Sequence, residues 1–411
     1  MGRHALLWLV LFAAFAATAG LRAAPGEDLS RPEAHNLLAA ESIVSDGDVD
    51  LADEYRSRAW RRFYGGELVP VAGPRGGRRL EPTGIGFPAM IAPAYALGGR
   101  LPVELFLAAV SALGFVFGAA LAHRLVPDPW ATTAALATGL SPPALIASTT
   151  IAPDAVGGTL IAGAALMALS LRDRPRVREA FAGAGLVALL PWLALKLVAP
   201  GAVVAVALWR WLRRRNRALA GFTALEVVLF SLVLFATVND RLYGGLTPYA
   251  VLGPGESATG AEGLGAHLAR WPRLAGLWLD PSAGILVWAP FSAMAFVAVG
   301  LLVRSRRERL AVALPGQVDV EVTAAFLIAI CASVVAVAAF LAPALGGPWF
   351  AGHELACVLP CAGALAAWGT RRFPRAGIAL GVLTVAISLW LVVTVRLDAG
   401  AGVAPPHLPP F

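Results

Sequence analysis

Apolar residues fall in long blocks along this chain, and polar residues collect between them. Most blocks hold roughly 17 to 25 residues, the length of helix that crosses a bilayer core. They predict helices near 5–21, 102–122, 131–148, 155–171, 180–195, 197–212, 218–238, 284–303, 322–343, 354–370 and 376–396. The expected architecture is an all-α polytopic membrane protein, a single membrane domain over 1–411 with about eleven transmembrane helices. Two stretches need separate treatment. Gly84 to Gly99 is apolar but short and carries Pro88 and Pro93, so it reads as an interfacial or re-entrant element. The run 180–212 is too long for one span, and Pro191, Lys196 and Pro200 break it into two with a turn near Lys196. The run Ala5 to Leu21 reads as a retained helix, being longer than the apolar core of a usual signal peptide.

Arginines orient this arrangement. Arg172, Arg174, Arg176 and Arg178 form one cluster, and Arg210, Arg213, Arg214, Arg215 and Arg217 a second. Arg304, Arg306, Arg307 and Arg309 form a third, and Arg371, Arg372 and Arg375 a fourth. With the N-terminus in the cytoplasm all four are cytoplasmic, as the positive-inside bias requires. The connections 149–154 and 344–353 contain no Arg or Lys and face out with the C-terminus. Two long external loops result, 25–101 with interfacial helices and 239–283. The net charge of +7 is therefore topological, and no nucleic-acid partner is expected. The expected location is the cytoplasmic membrane, with the lipid bilayer as solvent and partner.

The first loop holds the densest polar chemistry. From Glu33 to Val44 the apolar positions Leu37, Leu38, Ala40, Ile43 and Val44 repeat at helical spacing, which predicts an amphipathic helix on the outer leaflet. Pro32 suits its first turn, and Glu33 its positive dipole end. The run Asp46-Gly47-Asp48-Val49-Asp50 opens like a calcium loop but lacks that loop's remaining spacing and terminal Glu. An acidic turn capping a helix over Leu51 to Arg62 accounts for Asp48 or Asp50 equally well. No cofactor is called for, and a divalent metal has no support from a full ligand pattern. Cys331, Cys357 and Cys361 lie within apolar blocks without zinc-ligand spacing and read as packing residues.

Several segments, taken in order, resemble one family. Pro32-Glu33-Ala34-His35-Asn36 with Ser45 to Leu51 and Asp53-Glu54-Tyr55 resembles the first-loop signature of the GT-C fold glycosyltransferases. These are the bacterial relatives of protein O-mannosyltransferases and aminoarabinose transferases, of the family 39 type. Pro88 to Gly99, Leu195-Lys196-Leu197, Tyr243-Gly244-Gly245 and Leu279 to Leu286 with Ala289-Pro290 match further elements of the same group. The resemblance implies transfer of a sugar from a polyprenyl-phosphate donor to an acceptor on the outer face, the acceptor being unspecified. It further implies that an acid at the start of the first loop acts as base. The chain departs from the family twice. Pro32 stands where the first acid of an Asp-Glu pair is usual, and His353, in Gly346 to Glu354, stands where an arginine is usual.

The resulting candidates are Glu33 as catalytic base, with Lys196, His353, His35 and Asp154 binding donor or acceptor. Each has a plainer reading. Glu33 can be a carboxylate at a helix start, Lys196 an interfacial anchor, Asp154 a helix cap, and His35 and His353 loop residues without a role. Glu226, a lone acid in the seventh span, is expected to face the bundle. The rival functions are a transporter or lipid flippase, or a catalytically degenerate paralogue with a structural role. The chain has no internal repeat and few charges within spans, both common in transporters.

Overall fold

The computed structural model describes residues 2–174, 176–214, 218–253, 258–308, 315–345, 349–398 and 400–403. Of the features read from sequence, Arg215, Arg217, Arg309 and Gly346 to Pro348 lie outside the described residues. The architecture is all-helical. Its elements are α1 (Arg3–Ala16), α2 (Arg31–Ser45), α3 (Ala52–Ser57), α4 (Gly86–Ala96), α5 (Arg100–Ala122), α6 (Trp130–Gly139), α7 (Pro142–Ala147), α8 (Asp154–Asp173) and α9 (Val177–Leu193). They continue with α10 (Val198–Arg214), α11 (Ala218–Tyr243), α12 (Gly263–Leu268), α13 (Arg273–Leu279), α14 (Ile285–Trp288), α15 (Ala293–Glu308), α16 (Pro315–Phe340), α17 (Leu359–Arg372) and α18 (Pro374–Leu397).

Each predicted apolar block contains helix, yet among the described residues six helical stretches, those containing α5, α8, α10, α11, α16 and α18, combine the length and apolarity of a full span. Prolines shorten or break the others. Pro142 and Pro143 open α7 after Ser141, so the predicted helix 131–148 becomes two pieces. Pro290 divides the block 284–303 between α14 and α15 in the same way. Between α9 and α10 the chain leaves the α-helix at Ala194 and makes a single 3₁₀ turn over Leu195–Leu197, placing Lys196 at the expected break.

The two ends of the bundle differ in chemistry. At one end Arg3 pairs with Asp128, Arg124 with Asp173 and Arg172 with Asp319, which gathers the start of α1, the ends of α5 and α8 and the start of α16. α5 has 23 residues, and at about 1.5 Å per residue it separates this end from the other by about 35 Å. At the other end the Gly20 amide donates to Glu104, Asn36 donates to the Ile151 carbonyl, and Arg396 donates to the Ala17 and Ala19 carbonyls. These contacts gather residues 3, 124, 128, 172, 173 and 319 at one end and residues 17, 19, 20, 36, 104, 151 and 396 at the other.

The first loop folds onto this second end. α2 starts with a capping box: the Glu33 Oε2 accepts from the Ser30 amide at 2.9 Å and from the Ser30 hydroxyl at 2.7 Å. The predicted helix is therefore present, but all residues from Glu33 to Ser42 are buried, so it packs inside protein rather than lying along a leaflet. α4, from the Gly84–Gly99 block, is 11 residues long, too short to span, and packs against α2 and α5. The helix predicted over Leu51 to Arg62 is interrupted at Arg58, which adopts the left-handed conformation, φ 57°, and ends α3. Glu226 does not face the bundle. The buried stripe of α11 runs through Ala224, Val228 and Phe235, and Glu226 sits two residues from two of these, on the exposed side.

A candidate active site where Asp154, Lys196, His353 and Glu354 meet

Asp154 is the first residue of α8, and its carboxylate turns inward instead of capping. Its Oδ1 lies 2.7 Å from Lys196 Nζ, and its Oδ2 lies 3.1 Å from His353 Nε2. Lys196 Nζ reaches a second carboxylate, Glu354 Oε2, at 3.3 Å. The Asp154 side chain is 3% exposed, against 18% for Glu354 and 24% for Lys196. Asp154 is thus the buried centre that holds two basic side chains in place, while Glu354 and Lys196 meet solvent. An unpaired carboxylate at that depth would cost several kcal/mol, so its two basic partners stabilise the fold as well as shape the site.

Local structure brings these four groups together. Gly352 sits in the left-handed region, φ +76°, where its amide donates to the Ala283 carbonyl at 3.0 Å. The chain then enters a 3₁₀ turn over His353–Val358 that presents His353 and Glu354 side by side. The Trp349 ring stacks on His353 with centroids 4.4 Å apart and planes 7° from parallel, fixing the imidazole. α8 approaches this turn through Gly158: a Cβ there would meet the Cys357 carbonyl oxygen at 2.9 Å. Cys357 and Cys361 are buried in the core, as their apolar setting suggests.

The cluster forms part of the wall of a cavity of about 700 Å³. The rest of the lining is mostly apolar and includes Phe87, Trp192, Phe235, Pro248, Val337 and Leu341, with Pro32 and Asn36 contributed by α2. Tyr249 adds a phenol hydroxyl to this wall. The arrangement suits an amphiphile: a charged group at the Lys196 end and an apolar surface beyond it.

Lys196, Asp154 and His353 therefore converge, while Glu33 and His35 do not join them. The Glu33 Oε1 accepts from the Ile151 amide at 3.0 Å, so both of its oxygens are committed to backbone and Ser30, and it is not in the cavity wall. It ties the first loop to the connection that leads into Asp154. His35 lies in a separate buried set in which Tyr55 donates to Glu81 Oε1 at 2.6 Å and meets His35 Nδ1 at 2.9 Å. Burial lowers the His35 pKa to about 4 and raises that of Glu81. The 3.5 Å approach of His35 to Glu81 is accordingly a neutral contact bridged by the Tyr55 hydroxyl. Glu354 is the site residue that sequence reasoning missed; its signal was an acid beside His353 at the start of an apolar block.

No family model and no curated protein matches the chain. Among solved structures it is similar to ArnT from Cupriavidus metallidurans bound to undecaprenyl phosphate, with a TM-score of 0.55 and 14% identity, over 98% of this chain and 73% of that one. The same protein in the apo state gives a TM-score of 0.52 and 14% identity, over 95% of this chain and 70% of that one. At this identity the likeness is one of fold. The chain has the GT-C fold of ArnT, the polytopic membrane architecture that its first-loop motifs resemble.

Proposed function

We propose that the protein is a membrane glycosyltransferase that moves a sugar from a polyprenyl-phosphate donor to an acceptor, with the 700 Å³ cavity as its site. One observation carries the reading: a buried Asp154–Lys196–His353–Glu354 cluster opens onto an apolar cavity, in a fold whose solved example holds a polyprenyl phosphate. The lipid chain lies along the apolar wall and the phosphate comes to Lys196. In this reading the site end of the bundle faces outward from the cytoplasmic membrane with the N-terminus inside, an orientation supported by the arginine asymmetry of the sequence.

The chemistry follows from the pairing. A phosphate arriving at Lys196 competes with Glu354, the more exposed and more distant of its two carboxylates. Once displaced from Lys196, the Glu354 carboxylate is free to meet the acceptor hydroxyl. Glu354 is then the base that accepts the proton of the acceptor hydroxyl, in place of Glu33. The acceptor oxygen bonds to the anomeric carbon, the bond from that carbon to the phosphate oxygen breaks, and its electron pair leaves on the phosphate beside Lys196. Asp154 positions Lys196 and His353 throughout, and His353 occupies the place where the resembled family tends to have an arginine.

The test is transfer of radiolabelled sugar from polyprenyl-phosphate donors in membranes containing the wild type, Glu354→Gln or Glu33→Gln. Glu354→Gln should transfer about 10²–10⁴ times more slowly, the usual contribution of a general base. Glu33→Gln should stay within about tenfold of wild type, because Glu33 holds the loop and does not touch substrate. Equal transfer by wild type and Glu354→Gln would remove Glu354 as base.

A further inference from the structure

A second group of acids lies in the first loop, away from the cavity wall. Asp46 follows α2 as its C-terminal cap, and Asp53 and Glu54 belong to the first turn of α3. One carboxylate oxygen from each lies within 4.8 Å of the others. Asp46 and Asp53 are exposed, whereas Glu54 is 4% exposed and neither of its oxygens has a hydrogen-bond partner. The Ser42 hydroxyl lies beside it, but that proton goes to Asp48. Its charged neighbour is Asp53, a like charge, and among the described residues no cation pairs with Glu54. Asp46 accepts one hydrogen bond, from the Ser45 hydroxyl at 2.9 Å.

A buried carboxylate with both oxygens unsatisfied is strongly disfavoured, and a second negative charge beside it adds to the cost. The side chains that could have relieved it are used elsewhere. Arg62 pairs with Glu41, and the Arg79 guanidinium lies over the Tyr55 ring, 5.6 Å from its centroid. We propose that Asp46, Asp53 and Glu54 form a calcium site that pins α3 to the C-terminal end of α2. The donors are all oxygen and all anionic, which selects a hard cation over zinc or copper. Calcium accepts an irregular set of carboxylate oxygens from a loop and a helix, whereas magnesium demands near-ideal octahedral geometry and gives up its waters reluctantly. The C-terminal end of α2 adds a favourable dipole for positive charge.

The run Asp46 to Asp50 contributes to this site differently from an EF-hand loop. Asp48 accepts from the Ser42 hydroxyl and the Asp50 amide, and Asp50 accepts from the Ala52 and Arg79 amides, so both are turn residues. Only Asp46 of the run points to the cluster, and the other two ligands come from the next helix. The consequence for the cavity is mechanical. α2 carries Pro32 and Asn36 in the cavity wall, so a cation at its far end fixes the helix that shapes one side of the site.

The experiment uses the full chain in detergent, stripped with EGTA and then given calcium or magnesium chloride, with thermal unfolding followed for wild type, Asp46→Asn and Asp53→Asn. Wild type should show a saturable rise in Tm of about 2 °C or more at millimolar calcium, the range of external calcium modules, and a smaller one with magnesium. Both variants should lose the calcium response while unfolding, metal-free, at or above the wild-type Tm, since each substitution removes a like charge. That last expectation separates a lost site from a damaged fold. No response of the wild type at about 10 mM calcium would overturn the proposal and leave a carboxyl pair sharing a proton. An equal response in wild type and variants would overturn it too, as screening without a site.

Discussion

Residues four apart on a helix share a face, and α2 shows what that does to a sequence motif. Pro32 and Asn36 face the cavity, Glu33 turns to the Ile151 amide, and His35 turns to Tyr55. Chain order pointed to Glu33 and His35 as site residues, because both are polar in the segment that resembles the family signature. Which of four adjacent side chains reaches the cavity depends on the rotation of α2 about its axis, and long-range packing sets that rotation. Lys196 was legible for the opposite reason, a charge within apolar sequence that must find a partner, and Asp154, read from sequence as a turn residue heading α8, is that partner. His35 yields a prediction at this scale. Its pKa in the folded protein is about 4, against an ordinary 6.5. Between those values the unfolded chain binds a proton that the folded chain refuses, so this group's contribution to stability falls as pH drops from 6.5 to 4. Glu81, raised by burial, acts in the opposite direction, so the comparison must be differential. The loss of Tm between pH 6.5 and 4.5 should be smaller in His35→Gln than in wild type, and an unchanged loss would show that His35 does not titrate in that window.

At the scale of elements, the apolar blocks located nearly every helix, and prolines explain where they end. The breaks at Pro142 and Pro290 and the turn at Leu195–Leu197 are local effects, visible in composition. The depth of α2 was not, since the burial of Glu33 to Ser42 on every side comes from its fit between α4 and the rest of the bundle. Helix approach matters equally at the site. α8 and the His353–Val358 turn meet where Gly158 leaves no side chain, and a Cβ there would stand 2.9 Å from the Cys357 carbonyl oxygen. Gly158→Val should cost about 1–3 kcal/mol through overpacking, and it should separate Asp154 from His353. A lowered Tm together with lost transfer activity is the expected result. A Gly158→Val protein with wild-type Tm would show that the two segments can part without consequence.

For the whole molecule, the two ends of the bundle divide the labour. One end is closed by arginine–aspartate pairs, and the other holds the first loop, the cavity and the Asp154 cluster. The alternation of charge along the chain made that division readable, because it depends on order and not on packing. The convergence of residues 154, 196, 353 and 354 was only partly readable. They come from three separated connections, and Glu354 gained meaning only when its distance to Lys196 was known. The central claim is that this cluster holds the phosphate of a lipid carrier. It is tested most directly by native mass spectrometry of the purified protein in detergent with undecaprenyl phosphate. Wild type and Glu33→Gln should each retain one lipid, and Lys196→Gln, checked for folding by its Tm, should bind it at least about tenfold more weakly, the loss of one charge-assisted contact. Equal retention of the lipid by wild type and a folded Lys196→Gln protein would contradict the assignment of the site.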